Sequence, residues 1–286
     1  MREPLSITSI QNNKVKSWVQ LKERKHRNRE GLFIVEGIHL VLEALRSDMQ
    51  VDVVAYDMNS GIPQELEPFH LQEEGGLSSS GRAPGTEWIA VTDAIIRKCS
   101  DTETPQPVFA IVHKPTASVD SLLASPNSLV VVVDGVQDPG NLGTIIRTAD
   151  AVGADGVVIG RGTVDLYNSK TIRSTMGSLF HLPVVEGDLA ELLPAAQARG
   201  VRLASTSLQA THSCYSYDYR PATWLVVGNE GQGVSQNVQS LVDDTIIIPM
   251  RGQAESLNVA MATTVLLYEA MRQRHFSNNN NSCPRP

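Results

Sequence analysis

Short unbroken runs of β-branched residues alternate along this chain with segments whose apolar positions recur every three to four residues. Residues 129–133, LVVVV, are apolar throughout and stop at Asp134-Gly135. That is the pattern of a strand covered on both faces, as in a parallel sheet. The turn Asp138-Pro139-Gly140-Asn141 follows, and Leu142, Ile145, Ile146 and Ala149 then recur at helical spacing. The spacing predicts a helix with Asn141 as its N-cap, ending near Gly153, before a second buried strand at 156–160. The unit is β-α-β. Further buried strands are predicted at 182–185, 200–206, 225–227 and 246–250, and helices at 169–179, 189–199, 234–242 and 259–274. Strands alternating with helices give an α/β class with a mainly parallel sheet.

The first third of the chain carries the same alternation on a smaller scale. Strands are predicted at 31–37, 51–56, 88–91 and 107–112, with helices at 38–46 and around 93–99. Composition breaks the pattern at residues 59–86, where Pro, Glu, Ser and Gly dominate; this predicts a flexible insertion. Residues 114–127, with two prolines and several serines, read as a linker, and the Asn-rich residues 276–286 as a disordered tail. The expected organisation is therefore a small α/β domain at 1–113, the linker at 114–127 and a larger α/β domain at 128–275.

Charge adds a partner class. The 286 residues carry a net charge of −7. Between residues 14 and 29, however, Lys14, Lys16, Lys22, Arg24, Lys25, Arg27 and Arg29 face only Glu23. That segment is +6 and leaves −13 for the remainder. Such clustering suits a phosphate backbone, since each neutralised phosphate releases counterions. A solvated helix face with Val15, Trp18, Val19 and Leu21 on its apolar side is the competing reading. Cys99, Cys214 and Cys283 are far apart, without metal-ligand spacing, and read as reduced thiols. No apolar run approaches the ~20 residues of a membrane span, and a cytoplasmic location without metal is expected.

Polar residues at strand ends supply candidate chemistry. Gly135, Gly140 and Gly143 do not fit the G-x-G-x-x-G spacing, which disfavours a dinucleotide-binding enzyme. Asn141 and Arg147 follow the 129–133 strand. Gly228-Asn229-Glu230-Gly231 follows a second strand, and Ile248-Pro249-Met250 with Ser256-Leu257-Asn258 follows a third. In this order and context the three stretches closely resemble the signature motifs of the SpoU branch of the SPOUT RNA methyltransferases, over roughly residues 129–274. The run Val35-Glu36-Gly37 and residues 100–106 resemble the N-terminal substrate-binding domain of many SpoU enzymes, a fold shared with ribosomal RNA-binding proteins.

The resemblance implies a deep trefoil knot in the chain after Ile248. It also implies S-adenosylmethionine held in a bent form by Thr206, Gly228, Asn229, Gly231, Ile248, Met250 and Leu257. The reaction implied is methyl transfer to a ribose 2′-hydroxyl, most readily in 23S rRNA, by a homodimer. Arg147, Asn141, Glu230, Ser256 and Asn258 would form the catalytic set. Arg147 is the family's usual candidate base, although a protonated guanidinium has no acceptor lone pair and is better suited to holding phosphate. Glu230 is expected to organise its neighbours rather than transfer protons. A transfer-RNA methyltransferase and a non-catalytic RNA-binding or ribosome-assembly protein are the alternatives. The near-continuous apolar character of 259–268 fits a helix covered by both its own core and a partner.

Overall fold

A computed structural model describes residues 5–75, 85–116 and 118–276. In chain order the elements are β1 (Leu5–Ile7), α1 (Asn13–Gln20), α2 (Arg24–Glu30), β2 (Leu32–Glu36), α3 (Ile38–Arg46), β3 (Val51–Asp57), α4 (Glu67–Gly75), β4 (Glu87–Val91), α5 (Asp93–Cys99) and β5 (Val108–His113). The short α6 (Val119–Leu122) leads to β6 (Leu129–Val133), α7 (Pro139–Ala151), β7 (Gly156–Gly160) and α8 (Ser169–Thr175). A 3-10 turn (Ser178–Phe180) precedes β8 (Val184–Gly187), α9 (Leu189–Gln197), β9 (Arg202–Thr206) and β10 (His212–Ser213). The chain closes with β11 (Thr223–Val227), α10 (Gln236–Gln239), β12 (Asp244–Ile247) and α11 (Val259–His275). It forms two compact units. The first comprises residues 1–116 and 165–180, the second 117–164 and 181–286.

In the first unit a five-stranded sheet has the order β1-β4-β3-β5-β2. The strands β1, β4 and β3 run parallel, and β5 is antiparallel to both β3 and β2. Asn12 caps α1 by accepting a hydrogen bond from the Lys14 amide, which orients Val15 and Trp18 inward. Trp18 meets Phe109 edge-on at 5.6 Å, within a core that includes Ile7, Ile89 and Ile95. The segment 165–180 belongs here too, which the expected boundary at residue 128 did not anticipate. Tyr167 packs on Phe33 with ring centroids 4.7 Å apart, and Arg173 donates to Glu36. The helix predicted at 169–179 stops at Thr175 because Met176 (φ 52) and Gly177 (φ 100) turn left-handed.

The expected insertion at 59–86 is only partly irregular. Helix α4 occupies Glu67–Gly75, anchored by the fully buried Leu66 and by His70, whose ring lies edge-on to Trp88 at 5.1 Å. Leu66 and the His70–Trp88 ring contact tie down a polar helix whose composition alone argues for disorder. Residues 76–84 of that stretch, and all of the expected tail except Phe276, lie outside the described residues. The expected linker contains α6, whose Leu122 is 1% exposed and packs with Val130 and Val158.

The second unit is a seven-stranded sheet of order β10-β12-β9-β11-β6-β7-β8. Every pairing in it is parallel. Strands β6, β7 and β11 are buried at all five positions, as their near-continuous apolar sequences require. Leu189, Leu193 and Ala196 of α9 cover Val132, Leu203 and Trp224. Helices α7 and α11 pack together, with Thr148 and Thr264 hydroxyls 3.1 Å apart. Arg274 fastens the end of α11 through hydrogen bonds to the carbonyls of Tyr219 at 2.7 Å and Pro221 at 2.7 Å. A helix predicted at 234–242 shortens to α10, which starts after Ser235, whose amide donates to Asp134 Oδ2 at 2.7 Å. Parallel pairing has one decisive consequence. The loops leaving β6, β11, β9 and β12, four neighbouring strands, all emerge at one edge of the sheet.

Candidate functional site

At that edge a carboxylate and two asparagines hold three loops together. The first helical residue of α7 is Pro139, and the cap is Asp138, whose side chain accepts from the Asn141 amide at 2.9 Å. Asn141 is therefore not the N-cap expected from spacing. Its side chain is released from capping and reaches elsewhere. Asn141 Nδ2 donates to Glu230 Oε1 at 2.9 Å, and Asn258 Nδ2 donates to Asn141 Oδ1 at 3.0 Å. The amides of Gln137 and Asp138 also donate to the Glu230 carboxylate, at 3.0 Å each. Asn258 in turn caps α11, with Oδ1 accepting from the Ala260 and Met261 amides. The signature stretches around 141, 230 and 258 thus form one hydrogen-bonded relay.

Glu230 occupies the positive end of α7, where exposed amides favour an anion. Burial works against its charged form, but hydrogen bonds from Asn141, Gln137 and Asp138 outweigh it and hold the carboxyl below its ordinary value. The group is an anion at neutral pH and acts as an acceptor, not as an acid. Because the folded-state value is depressed, its stabilising contribution is complete above the unfolded carboxylate range and disappears as pH falls through the folded value. Replacing Glu230 by Gln is expected to flatten the acid limb of a stability-versus-pH curve below about pH 4.5. Between pH 6 and 8 the slope should match the parent's; denaturant unfolding at a series of pH values measures both.

The other expected catalytic residues stand apart from the relay. Arg147 is exposed on α7, six residues and about 9 Å of helix rise beyond Asn141. Ser256 is exposed within residues 249–258, all of them at the surface. The cofactor candidates cluster better. Thr206 ends β9, Gly228, Asn229 and Gly231 follow β11, and Ile248, Met250 and Leu257 follow β12, three adjacent strands. Met250 and Leu257 remain 37% and 40% exposed, apolar surface left open at a polar edge. Asn229 closes its own loop, with Oδ1 accepting from the Gly231 and Gln232 amides and Nδ2 donating to Gly135 O at 2.9 Å. Backbone groups and open apolar side chains together suit a nucleoside with an amino-acid tail.

Among the seven cations assigned to RNA, one has another task. Arg27 is 4% exposed; its guanidinium donates to the carbonyls of Leu21 and Lys22 and to the Asp165 carboxylate, all within the first unit. It cannot also meet a phosphate. Lys22 is half-committed, with bonds to Ser100 O at 2.6 Å and Asp101 at 3.1 Å. Lys25 and Arg29 make only surface pairs, with Glu23 and Glu30, of the kind that contribute little and exchange readily. Arg27→Ala is expected to cost about 3 kcal/mol, the scale of a broken buried pair, and to leave RNA affinity near the parent's once folded. Chemical denaturation and a filter-binding titration test the two halves separately.

A family model described as SpoU rRNA Methylase family matches residues 128–268. The 23S rRNA (guanosine(2553)-2′-O)-methyltransferase of Bacillus subtilis (strain 168) is 39% identical over 262 residues, covering 92% of this chain and 97% of that protein. The chain belongs to the SpoU rRNA methylase family. A second relative, the 23S rRNA (uridine(2479)-2′-O)-methyltransferase of Streptomyces viridochromogenes, is 34% identical over 94% of this chain and 92% of that one. The crystal structure of the SpoU methyltransferase AviRb from Streptomyces viridochromogenes with AdoMet aligns at a TM-score of 0.81, 32% identity, and 92% and 98% coverage. The AdoMet-bound rRNA methyltransferase of Sinorhizobium meliloti aligns at 0.82, with 30% identity over 93% and 97%. A model described as MRM3-like substrate binding domain matches residues 12–110.

Within this SpoU chain, sequence reasoning missed the residues that brace the relay. Gln137 and Asp138 seat Glu230 through their backbone, and the Gln137 side chain donates to Gly162 O. Thr163 accepts from the Gly135 amide at 3.1 Å, and the Val164 amide donates to Val136 O at 2.9 Å. Main-chain donors carry no sequence signal; Pro139 at the first helical position was the legible hint that the cap lay at 138.

Proposed function

We propose that this chain transfers a methyl group from S-adenosylmethionine to a ribose 2′-hydroxyl of 23S rRNA. The relay Glu230–Asn141–Asn258 at the strand-end edge carries the reading, since it fixes two amide side chains beside the loops suited to the cofactor. When bound, S-adenosylmethionine supplies a methyl group already activated by its sulfonium charge. What remains for the protein is alignment of the hydroxyl and relief of charge developing on its oxygen.

Glu230, ionised and acceptor-only, commits Asn141 to one orientation: Nδ2 towards the carboxylate, Oδ1 towards Asn258. Asn141 and Asn258 are then rigid polar partners for a ribose, with Ser256 on the adjoining loop. Arg147, with five fixed donors and no acceptor, holds the phosphate next to the target ribose. Ribose chemistry is indifferent to the base. That accords with two similar relatives named for a guanosine and a uridine, so target choice belongs to RNA contacts outside the relay. The region matched at 12–110 is proposed as the RNA-binding part, with the exposed Lys16 and the surface-paired Lys14, Lys25 and Arg29 as its first candidates.

Two assembly features accompany the reading. Met261 and Tyr268, seven residues apart on one stripe of α11, are 54% and 48% exposed and support a homodimer through that face; sedimentation showing only a 31.1 kDa species would count against it. The trefoil knot remains part of the proposal, supported by β12 lying beyond β9 while α11 returns to α7. Transfer of labelled methyl from S-adenosylmethionine to unmodified 23S rRNA, followed by mapping of the 2′-O-methylated nucleotide, tests the function. Labelling of transfer RNA alone would replace the substrate, and no labelling of either RNA would overturn the enzyme.

A further inference from the structure

The second unit uses no lysine among its described residues and eight arginines, against fourteen acidic side chains. Six of the eight are committed. Arg161, Arg199, Arg202, Arg220 and Arg272 each face a carboxylate, and Arg274 is bound by backbone carbonyls. Arg147 and Arg251 are the exceptions among the described residues, neither side chain having an ion pair or hydrogen bond. One of the two is already the phosphate-holding residue of the proposed reaction. The other shares its setting. Arg251 follows β12 at the same edge of the sheet, in the uninterrupted exposed run 249–258 that also carries Ser256 and Asn258.

Three features separate Arg251 from an ordinary surface cation. Glu255, four residues on in the same exposed run, is not paired with it. A side chain added at the neighbouring Gly252 would meet nothing within 4 Å, so the space beside Arg251 is open to a ligand. Finally, an acidic unit repels a polyanion unless cations are concentrated where it docks, and the unit's two uncommitted guanidiniums both stand on segments that carry the relay.

We propose that Arg251 is a second phosphate contact of this unit, gripping the RNA backbone on the β12 side of the target nucleotide while Arg147 grips it at α7. The assignment rests on the RNA methyltransferase reading and specifies the ligand chemistry as a phosphodiester. A planar guanidinium with five donors suits two phosphate oxygens at once.

The test compares Arg251→Ala, Arg251→Lys and, as a paired surface arginine, Arg220→Ala, using in-vitro transcribed 23S rRNA. Arg251→Ala is expected to weaken RNA binding on the order of 10-fold at about 0.15 M salt. The slope of log affinity against log salt should fall by about 0.7–0.9, one phosphate's worth of released counterions. Arg251→Lys keeps the slope and recovers part of the affinity. Affinity for S-adenosylmethionine stays within about twofold of the parent in all three variants, and Arg220→Ala leaves the slope unchanged. An Arg251→Ala protein with the parent's RNA affinity and slope overturns the inference. So does loss of cofactor affinity, which would place the guanidinium on the cofactor's carboxylate, and so does an equal slope change in Arg220→Ala. If the parent itself transfers no methyl to RNA, the enzymatic reading has failed; if it methylates and only the Arg251 comparison is flat, the contact alone has failed.

Discussion

Arg147→Ala is expected to lose at least ~100-fold in methyl transfer, the scale of a misplaced reacting group, while binding S-adenosylmethionine as the parent does. The separation follows from geometry. Arg147 is exposed on α7 and outside the Glu230–Asn141–Asn258 relay, whereas the cofactor candidates follow β9, β11 and β12. Arg147→Lys keeps the charge without the planar fork and should fall between parent and Ala. Single-turnover methylation at saturating RNA, beside calorimetric cofactor affinity on the same preparations, reads both quantities. Parent-like turnover in the Ala variant would return Arg147 to the status of a surface charge. Lost cofactor affinity in a folded Ala variant would move it to the cofactor pocket.

The second large effect is expected at Gly228. The loop after β11 folds back so tightly that the Asn229 amide donates to Gly233 O at 2.9 Å and the Gly233 amide to Asn229 O at 3.0 Å. A Cβ at position 228 would lie 2.1 Å from the Gly233 carbonyl carbon and 2.2 Å from the Val234 nitrogen. Both are backbone atoms, so relief requires opening the loop that carries Asn229 and Glu230. Gly228→Ala is expected to cost about 1–3 kcal/mol in stability, as overpacking does, and to weaken S-adenosylmethionine binding on the order of 100-fold through the displaced loop. Gly231→Ala meets nothing nearer than Asn229 Oδ1 at 3.7 Å and should be as stable as the parent. Titration calorimetry on both variants is decisive, and normal cofactor binding by Gly228→Ala would remove this loop from the pocket.

What could be read from the amino acids was local, and what could not was long-range. LVVVV at 129–133 announces a doubly covered strand because the run is short, almost wholly β-branched and stopped by Asp134-Gly135. Helix α3 at Ile38–Arg46 and helix α5 at Asp93–Cys99 are equally legible, their apolar positions falling on one side. Helix α4 was hidden because its stability comes from Leu66 and Trp88, residues outside it. The three signature stretches were legible as strand-end motifs, but Glu230 finds Asn141 across 89 residues of sequence, and periodicity carries no information at that range. Arg27 looked like its basic neighbours; its partner Asp165 is 138 residues away, and only packing distinguishes an inward cation from an outward one.

The membership of 165–180 in the first unit also has a consequence for biosynthesis. A nascent chain that has reached Thr116 lacks the residues that cover Phe33, balance Glu36 and neutralise Arg27. Sixty-four further residues must be translated before Phe180 exists, roughly 3–13 s at about 5–20 residues per second. During that interval the early unit exists with an uncovered aromatic face and two unmatched charges, so strand order in time is not domain order in space. Vectorial folding would stall there, and the ribosome would release a finished first unit only after β6 and β7 of the second had already emerged.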